Sequence, residues 1–250
     1  MWEEQGFKFD DGLEIVIYKL LYEQGWLKYS RQHARANINW VREFYVHNAT
    51  GENTVVNVRG KLVPTDAAAI NTILDLQDDD TSIYNLIAML EEEDFNTIKN
   101  QLCLPGTEWN VGGKNPHTVS RPNLLPKAKL WNTFVKRNLM STSHNQTVDR
   151  RQLVLINAIL TGTKFNVGEV IAHELLEACR SDKAILAFPC LISALCRRAA
   201  VPTRPSDKYF RFQSGWAKQD YMRKMDLTDS IPIQIAMPTP VASKQAQDSA

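Results

Sequence analysis

The apolar positions of this chain change their period, and the changes mark its elements. Leu13, Ile17, Leu20 and Leu21 recur at helical spacing, which predicts a helix from about 11 to 23. "ARANINWVREFYVH" repeats the pattern, with Ile38, Val41 and Tyr45 on one face. The period then falls to two. "TVVNV" and "KLV" read as short strands turned by Arg59-Gly60, where glycine accepts a positive φ. Pro64 is expected to stop that pairing, and "TDAAAINTIL" to start a helix capped by Thr65. Two further helices are expected, at about 82 to 92 and in "DFNTIKNQL".

Residues 104–126, "LPGTEWNVGGKNPHTVSRPNLLP", hold four prolines and three glycines and read as a long loop, a candidate subdomain boundary. The second half is more regular. "KAKLWNTFVKRNLM" is amphipathic, with Leu130, Phe134 and Val135 on its buried side. The polar "STSHNQT" is expected to cap "VDRRQLVLINAIL", which Gly162 ends. Asn166 caps the next helix, with Glu169 three positions on as in a capping box, and a last helix starts at Pro189. The expected fold is therefore mainly α: a helical domain over 1–201 with a small β-hairpin near 54–63. Residues 202–250 are mixed, basic and of low complexity, and read as a flexible, largely disordered C-terminal tail.

Composition narrows the class. The net charge is only +1, so the chain as a whole is not a polybasic nucleic-acid binder. The charge is uneven, however. Residues 75–94 hold eight acids and no Lys or Arg, and residues 114–151 hold eight bases against Asp149. Such segregation marks a partner surface, two solvated faces, or segments that face each other. No basic-then-apolar leader opens the sequence, and its longest apolar run (184–196) contains Pro189 and is short of a membrane span. An intracellular protein is expected, nuclear or cytoplasmic, neither secreted nor membrane-bound. Cys103, Cys179, Cys190 and Cys196 show no C-x-x-C spacing and read as reduced, mostly buried thiols.

"IAHELLEAC" (171–179) carries three quarters of the H-E-x-x-H zinc signature, but the second ligand position is Glu177. On a helical wheel Val167, Ile171, Leu175 and Cys179 form the apolar arc, and His173 lies opposite with Glu169 and Glu177. Those carboxylates are expected to favour a protonated imidazole, which cannot bind zinc. No P-loop, zinc knuckle, aspartic-protease or nucleophile-elbow motif is present, and "LQDDD" lacks the aromatic and the hairpin of a polymerase motif. No catalytic residue, metal site or cofactor is read from the sequence.

A nucleic-acid face remains. Lys127, Lys129, Lys136 and Arg137 share a helix with Trp131 and Phe134, and Arg150-Arg151 open the next. Bases interleaved with aromatics suit phosphate contact plus stacking. An amphipathic helix with a solvated basic side has the same look.

The block "AKLWNTFVKRNLMSTSHNQTVDRRQLVLINAILTGTKFNVGEVIAHEL", with "WVREFYVHN" and "VRGKLVPTDAAAINTIL" upstream, resembles the "putative plant transposon protein" domain. The motifs are A-x-L-W-x-x-F-V, N-L-x-x-T-S-H, N-V-G-x-x-I, V-R-E-F-Y, V-R-G and I-N-x-x-L. They span residues 14–201 in the family's order. The resemblance implies a plant protein tied to retroelement or transposon sequences, and it carries over no catalytic residue. The expected function is a non-catalytic retroelement-derived module that binds nucleic acid, RNA or DNA, or associates with itself. A metal-dependent DNA-processing enzyme with dispersed carboxylates, or a decayed element copy without a selected role, are the alternatives.

Overall fold

The computed structural model of the chain describes residues 19–26, 35–112, 117–140, 146–181 and 186–211. Of the expected 11–23 helix, residues 19–23 are described and helical. Its earlier part, and residues 212–250 of the expected tail, lie outside the described residues.

β1 (Arg35–Asn37) runs into α1 (Ile38–His47), which Asn37 caps by accepting from the Asn39 and Trp40 N–H groups. β2 (Val55–Val58) and β3 (Lys61–Pro64) form the expected hairpin. Its turn places Arg59 at φ 52° and Gly60 at φ 77°, the pair of positive values that a tight two-residue turn requires. Pro64 does not stop the pairing: it is the partner of Val55, on an edge strand where proline's missing N–H is tolerated. Thr65 is not the cap of α2 (Ala67–Leu74). Its N–H and hydroxyl both donate to the Thr54 carbonyl and close the hairpin, while Asp66 caps α2 through the Ala69 N–H at 2.8 Å.

α3 (Ile83–Met89) and α4 (Glu92–Leu102) follow. Glu92, Glu93 and Asp94 fill the first turn of α4, beside the positive end of its dipole, and Glu91 and Asp94 close a capping box. Half of the acidic run is therefore helix-start chemistry. The loop after α4 is pinned to it. Leu104 N donates to Asn123 O, Leu125 N to Leu102 O, and the Trp109 indole to Asn96.

β4 (Thr118–Ser120) pairs antiparallel with β5 (Thr147–Asp149), and between them lies α5 (Pro126–Phe134), which widens into a π-turn over Val135–Leu139. The cap of α6 (Arg150–Thr161) is Asp149, in a reciprocal box with Gln152, rather than the polar stretch before it. Residues 152–159 of α6 are all buried, so this helix is the centre around which the others pack. α7 (Val167–Arg180), α8 (Pro189–Arg198) and β6 (Tyr209–Arg211) complete the described chain. The core is one cluster from Leu21 to Val201, with Trp26 stacked on Phe134 at 5.8 Å. Cys103, Cys179 and Cys196 are buried free thiols, and Cys190 is half-buried. Among the described residues no helix is long and apolar enough to cross a membrane.

Two buried polar anchors join the sequence motifs. Asn71, from I-N-x-x-L, donates to Asn166 at 2.9 Å and accepts from Gly168 N at 2.8 Å, both from N-V-G. A Cβ on Gly168 would lie 2.4 Å from the Ala67 carbonyl, so only glycine lets α2 and α7 approach this closely. Asn166 caps α7, but Glu169 does not return the bond; its carboxylate accepts from Ser82 instead. The second anchor is Arg59 of V-R-G. Its guanidinium donates to Glu43 of V-R-E-F-Y (2.9 Å), to Asp207 (2.7 Å) and to the Pro202 carbonyl (2.9 Å). Residues 202–211, read from the sequence as the start of the tail, are thereby packed on the domain. β6 pairs with β1, Arg211 opposite Arg35.

Candidate nucleic-acid interface

The structure describes six of the seven side chains that the sequence nominates and does not bring them to one exposed face. Trp131 is 2% exposed, stacked edge-on against Phe134 in the core, and offers no ring to a base. Lys136 is 4% exposed because the π-turn carries it inward. Its ammonium donates to the Thr147 carbonyl at 2.6 Å, and burial pulls its pKa down to about 8. Lys127 and Lys129 are half-buried on α5, two positions and so about 200° apart around it, and cannot share one side. The side chain of Arg137 lies outside the described residues.

Arg150 and Arg151 are engaged. The Arg150 guanidinium binds Glu92 at 2.7 Å and lies over the rings of Phe95 (4.8 Å) and Trp109 (5.1 Å). At this point the acidic and basic stretches face each other. Arg151 reaches Glu174 at 3.4 Å and Asp149 at 4.0 Å.

The helix of "IAHELLEAC" is also corrected. His173 keeps 41% of its side chain open, but its ring also lies 4.4 Å from that of Tyr84. Burial there outweighs the attraction of Glu177 and Glu169, so its pKa moves down, not up. Glu174 is the more perturbed group, its carboxyl pushed up to about 7 by burial despite Arg151. Among the described residues no three His, Cys, Asp or Glu side chains come together as metal ligands.

A further set of exposed cations lies on α8, on β1 and in the segment leading into β6. Residues 186–211 contain five bases, Arg197, Arg198, Arg204, Lys208 and Arg211, and one acid, Asp207. β1 adds Arg35, whose carbonyl accepts from the Arg197 guanidinium at 3.3 Å, and the register sets Arg211 opposite Arg35. The carboxylates of this region, Asp207 and Glu43, are both taken by Arg59, which holds Asp207 far below the usual carboxylate range. Arg35, Arg197, Arg198, Arg204 and Lys208 are all exposed. Among the described residues none of these five forms an ion pair with a carboxylate. Arg197 and Arg198 also sit by the carbonyl end of α8, which favours positive charge. Tyr209, 50% exposed, follows Lys208 in the same segment.

The sequence carried part of this signal, in "CRRAAVPTRPSDKYFRF", but assigned its second half to a tail. The contribution of Arg35 was not legible, since only the β1–β6 pairing brings it there.

These features define a mainly helical framework domain whose family-like motifs meet in its packing, with five exposed cations that have no carboxylate partner among the described residues, on α8, on β1 and in the segment before β6. Residues 22–202 match the model of the "putative plant retrotransposon-related domain", and the chain belongs to that family. No curated protein and no solved structure matches it.

Proposed function

We propose that this retrotransposon-related domain is a non-catalytic module that binds nucleic acid through its basic pole. The observation that supports the reading is the set of five exposed cations, Arg35, Arg197, Arg198, Arg204 and Lys208, in a region whose carboxylates Arg59 neutralises. Such a surface is complementary to a phosphate backbone, and phosphate contact releases counterions. With all five engaged, log K falls against log salt with a slope of about −3.5 on a single strand or −4.5 on duplex. Between about 50 and 200 mM salt the affinity then drops roughly 100- to 500-fold. Arg197→Gln with Arg198→Gln reduces the slope by about 1.4 to 1.8, whereas Lys127→Gln with Lys129→Gln leaves it nearly unchanged. Fluorescence anisotropy with labelled oligonucleotides measures both. Absence of binding at about 50 mM salt removes the proposal.

Self-association is a second reading, favoured by the outer face of the hairpin. Val55 and Leu62 are 46% and 67% exposed there, beside Pro64. Sedimentation across a concentration series tests it; a monomer throughout removes it.

A further inference from the structure

We infer that the basic pole takes single-stranded nucleic acid in preference to duplex, with Tyr209 as the side chain on which a base stacks. This rests on the nucleic-acid reading above and specifies its ligand.

Trp26, Trp40, Phe44, Trp131, Phe134 and Phe165 are all buried, and Tyr22, 68% exposed, lies outside the segment that carries these cations. Tyr209 instead leaves half of its surface open, in the strand that directly follows Lys208 and is bordered by Arg211. Its strand is fixed to β1 and the first turn of α1. Lys208 N donates to Asn39 Oδ1 and Lys208 O accepts from Ile38 N, each at 2.9 Å, and Asn37 is the register partner of Tyr209. Asn37 is itself held by Asp207 and Ser193. The ring therefore stands on a rigid base, so little ordering is lost when a base covers it.

The geometry disfavours duplex. A two-stranded ribbon reads duplex by entering the major groove. Here β1 lies against α8, with the Arg197 guanidinium on the Arg35 carbonyl, and each strand is three residues long. The pair is a platform rather than a projecting ribbon. In duplex the faces of the bases are stacked on one another and closed to Tyr209. In a single strand each base has a free face, while the phosphates can follow Arg35, Arg197, Arg204 and Lys208 around the ring.

The test is anisotropy on the full chain with labelled single-stranded RNA, single-stranded DNA and a duplex of the same sequence, at one low salt concentration. Either single strand is expected to bind more tightly than the duplex, and the two arms report which sugar the pole accepts. Tyr209→Ala is expected to lower single-strand affinity about 5-fold or more, and Tyr209→Phe to keep it, because stacking needs the ring and not the hydroxyl. If Tyr209→Ala does not fold, photocrosslinking of the unaltered chain takes its place. A crosslink mapped to Tyr209 supports the inference and its absence overturns it. Duplex binding equal to single-strand binding, or an unchanged affinity in folded Tyr209→Ala, overturns the stacking role and leaves the nucleic-acid reading standing. Failure of every probe to bind overturns both.

Discussion

Replacing Arg59 with leucine removes a guanidinium whose side chain is 3% exposed and which holds two carboxylates. One of them, Asp207, is 1% exposed and the other, Glu43, is 30% exposed. Asp207 keeps its bonds from Asn37 and from the Arg204 N–H but loses its counter-charge in a place that water does not reach. Breaking a buried pair from one side costs about 3–5 kcal/mol, and the partial exposure of Glu43 puts the expectation at about 3. For a chain of this size that lowers Tm by roughly 6–12 °C. The pH dependence checks the cause. In the parent, Asp207 titrates far below its unfolded value of 3.8, so its contribution is complete above that value and is lost as pH falls toward the folded one. In the leucine variant the bond that most lowers the Asp207 pKa is gone, so its pKa moves up toward the unfolded value and the variant loses less than the parent as pH falls below 3.8. The gap between parent and variant therefore narrows toward acid. Denaturant midpoints across the pH range measure this, and adding Asp207→Leu to the variant recovers part of the loss. A deficit under about 1 kcal/mol, the same at every pH, means that Arg59 behaves as a surface pair and refutes the argument.

Gly168→Ala places a methyl group against the Ala67 carbonyl and Asn71, forcing α2 and α7 apart. A loss of about 1–3 kcal/mol is expected in a denaturation curve, whereas alanine at Gly112, which meets nothing within 4 Å, has no such clash. Glu174→Gln tests the carboxyl that burial has raised to about 7 from 4.5. A raised carboxyl costs stability as pH climbs between those values, so the glutamine variant gains on the parent over that interval and the difference is then constant. A difference in midpoint that does not move with pH contradicts the assignment.

Local patterns carried most of the helices. The hairpin was legible from its alternation and from Arg59-Gly60, and the helix ends at Gly162 and Pro189 from residue chemistry alone. Thr65 and Asp66 both suit a cap, and the choice fell to the hairpin's need for Thr65. β1, β4, β5 and β6 were not legible, because three residues are too few to show a period and their partners are distant. That Trp131 and Lys136 are covered was not legible for a related reason. Periodicity gives a helix an apolar side, but a central α6 and a π-turn decide how much more of α5 is covered. The bases of 197–211 were visible as composition; that the β1–β6 pairing brings Arg35 to the same segment was not.

The β1–β6 closure also sets an order of events during synthesis. Asn37 and Asp207 are 170 positions apart, so at about 5–20 residues per second the first strand waits roughly 10–30 s for its partner to be made. Throughout that interval Asn37, Trp40 and Arg59 have emerged without Pro202, Asp207 and β6, the groups that later satisfy them. The family match ends at 202, five residues before Asp207. A nascent chain halted at that limit has every helix of the described core and still lacks its latch.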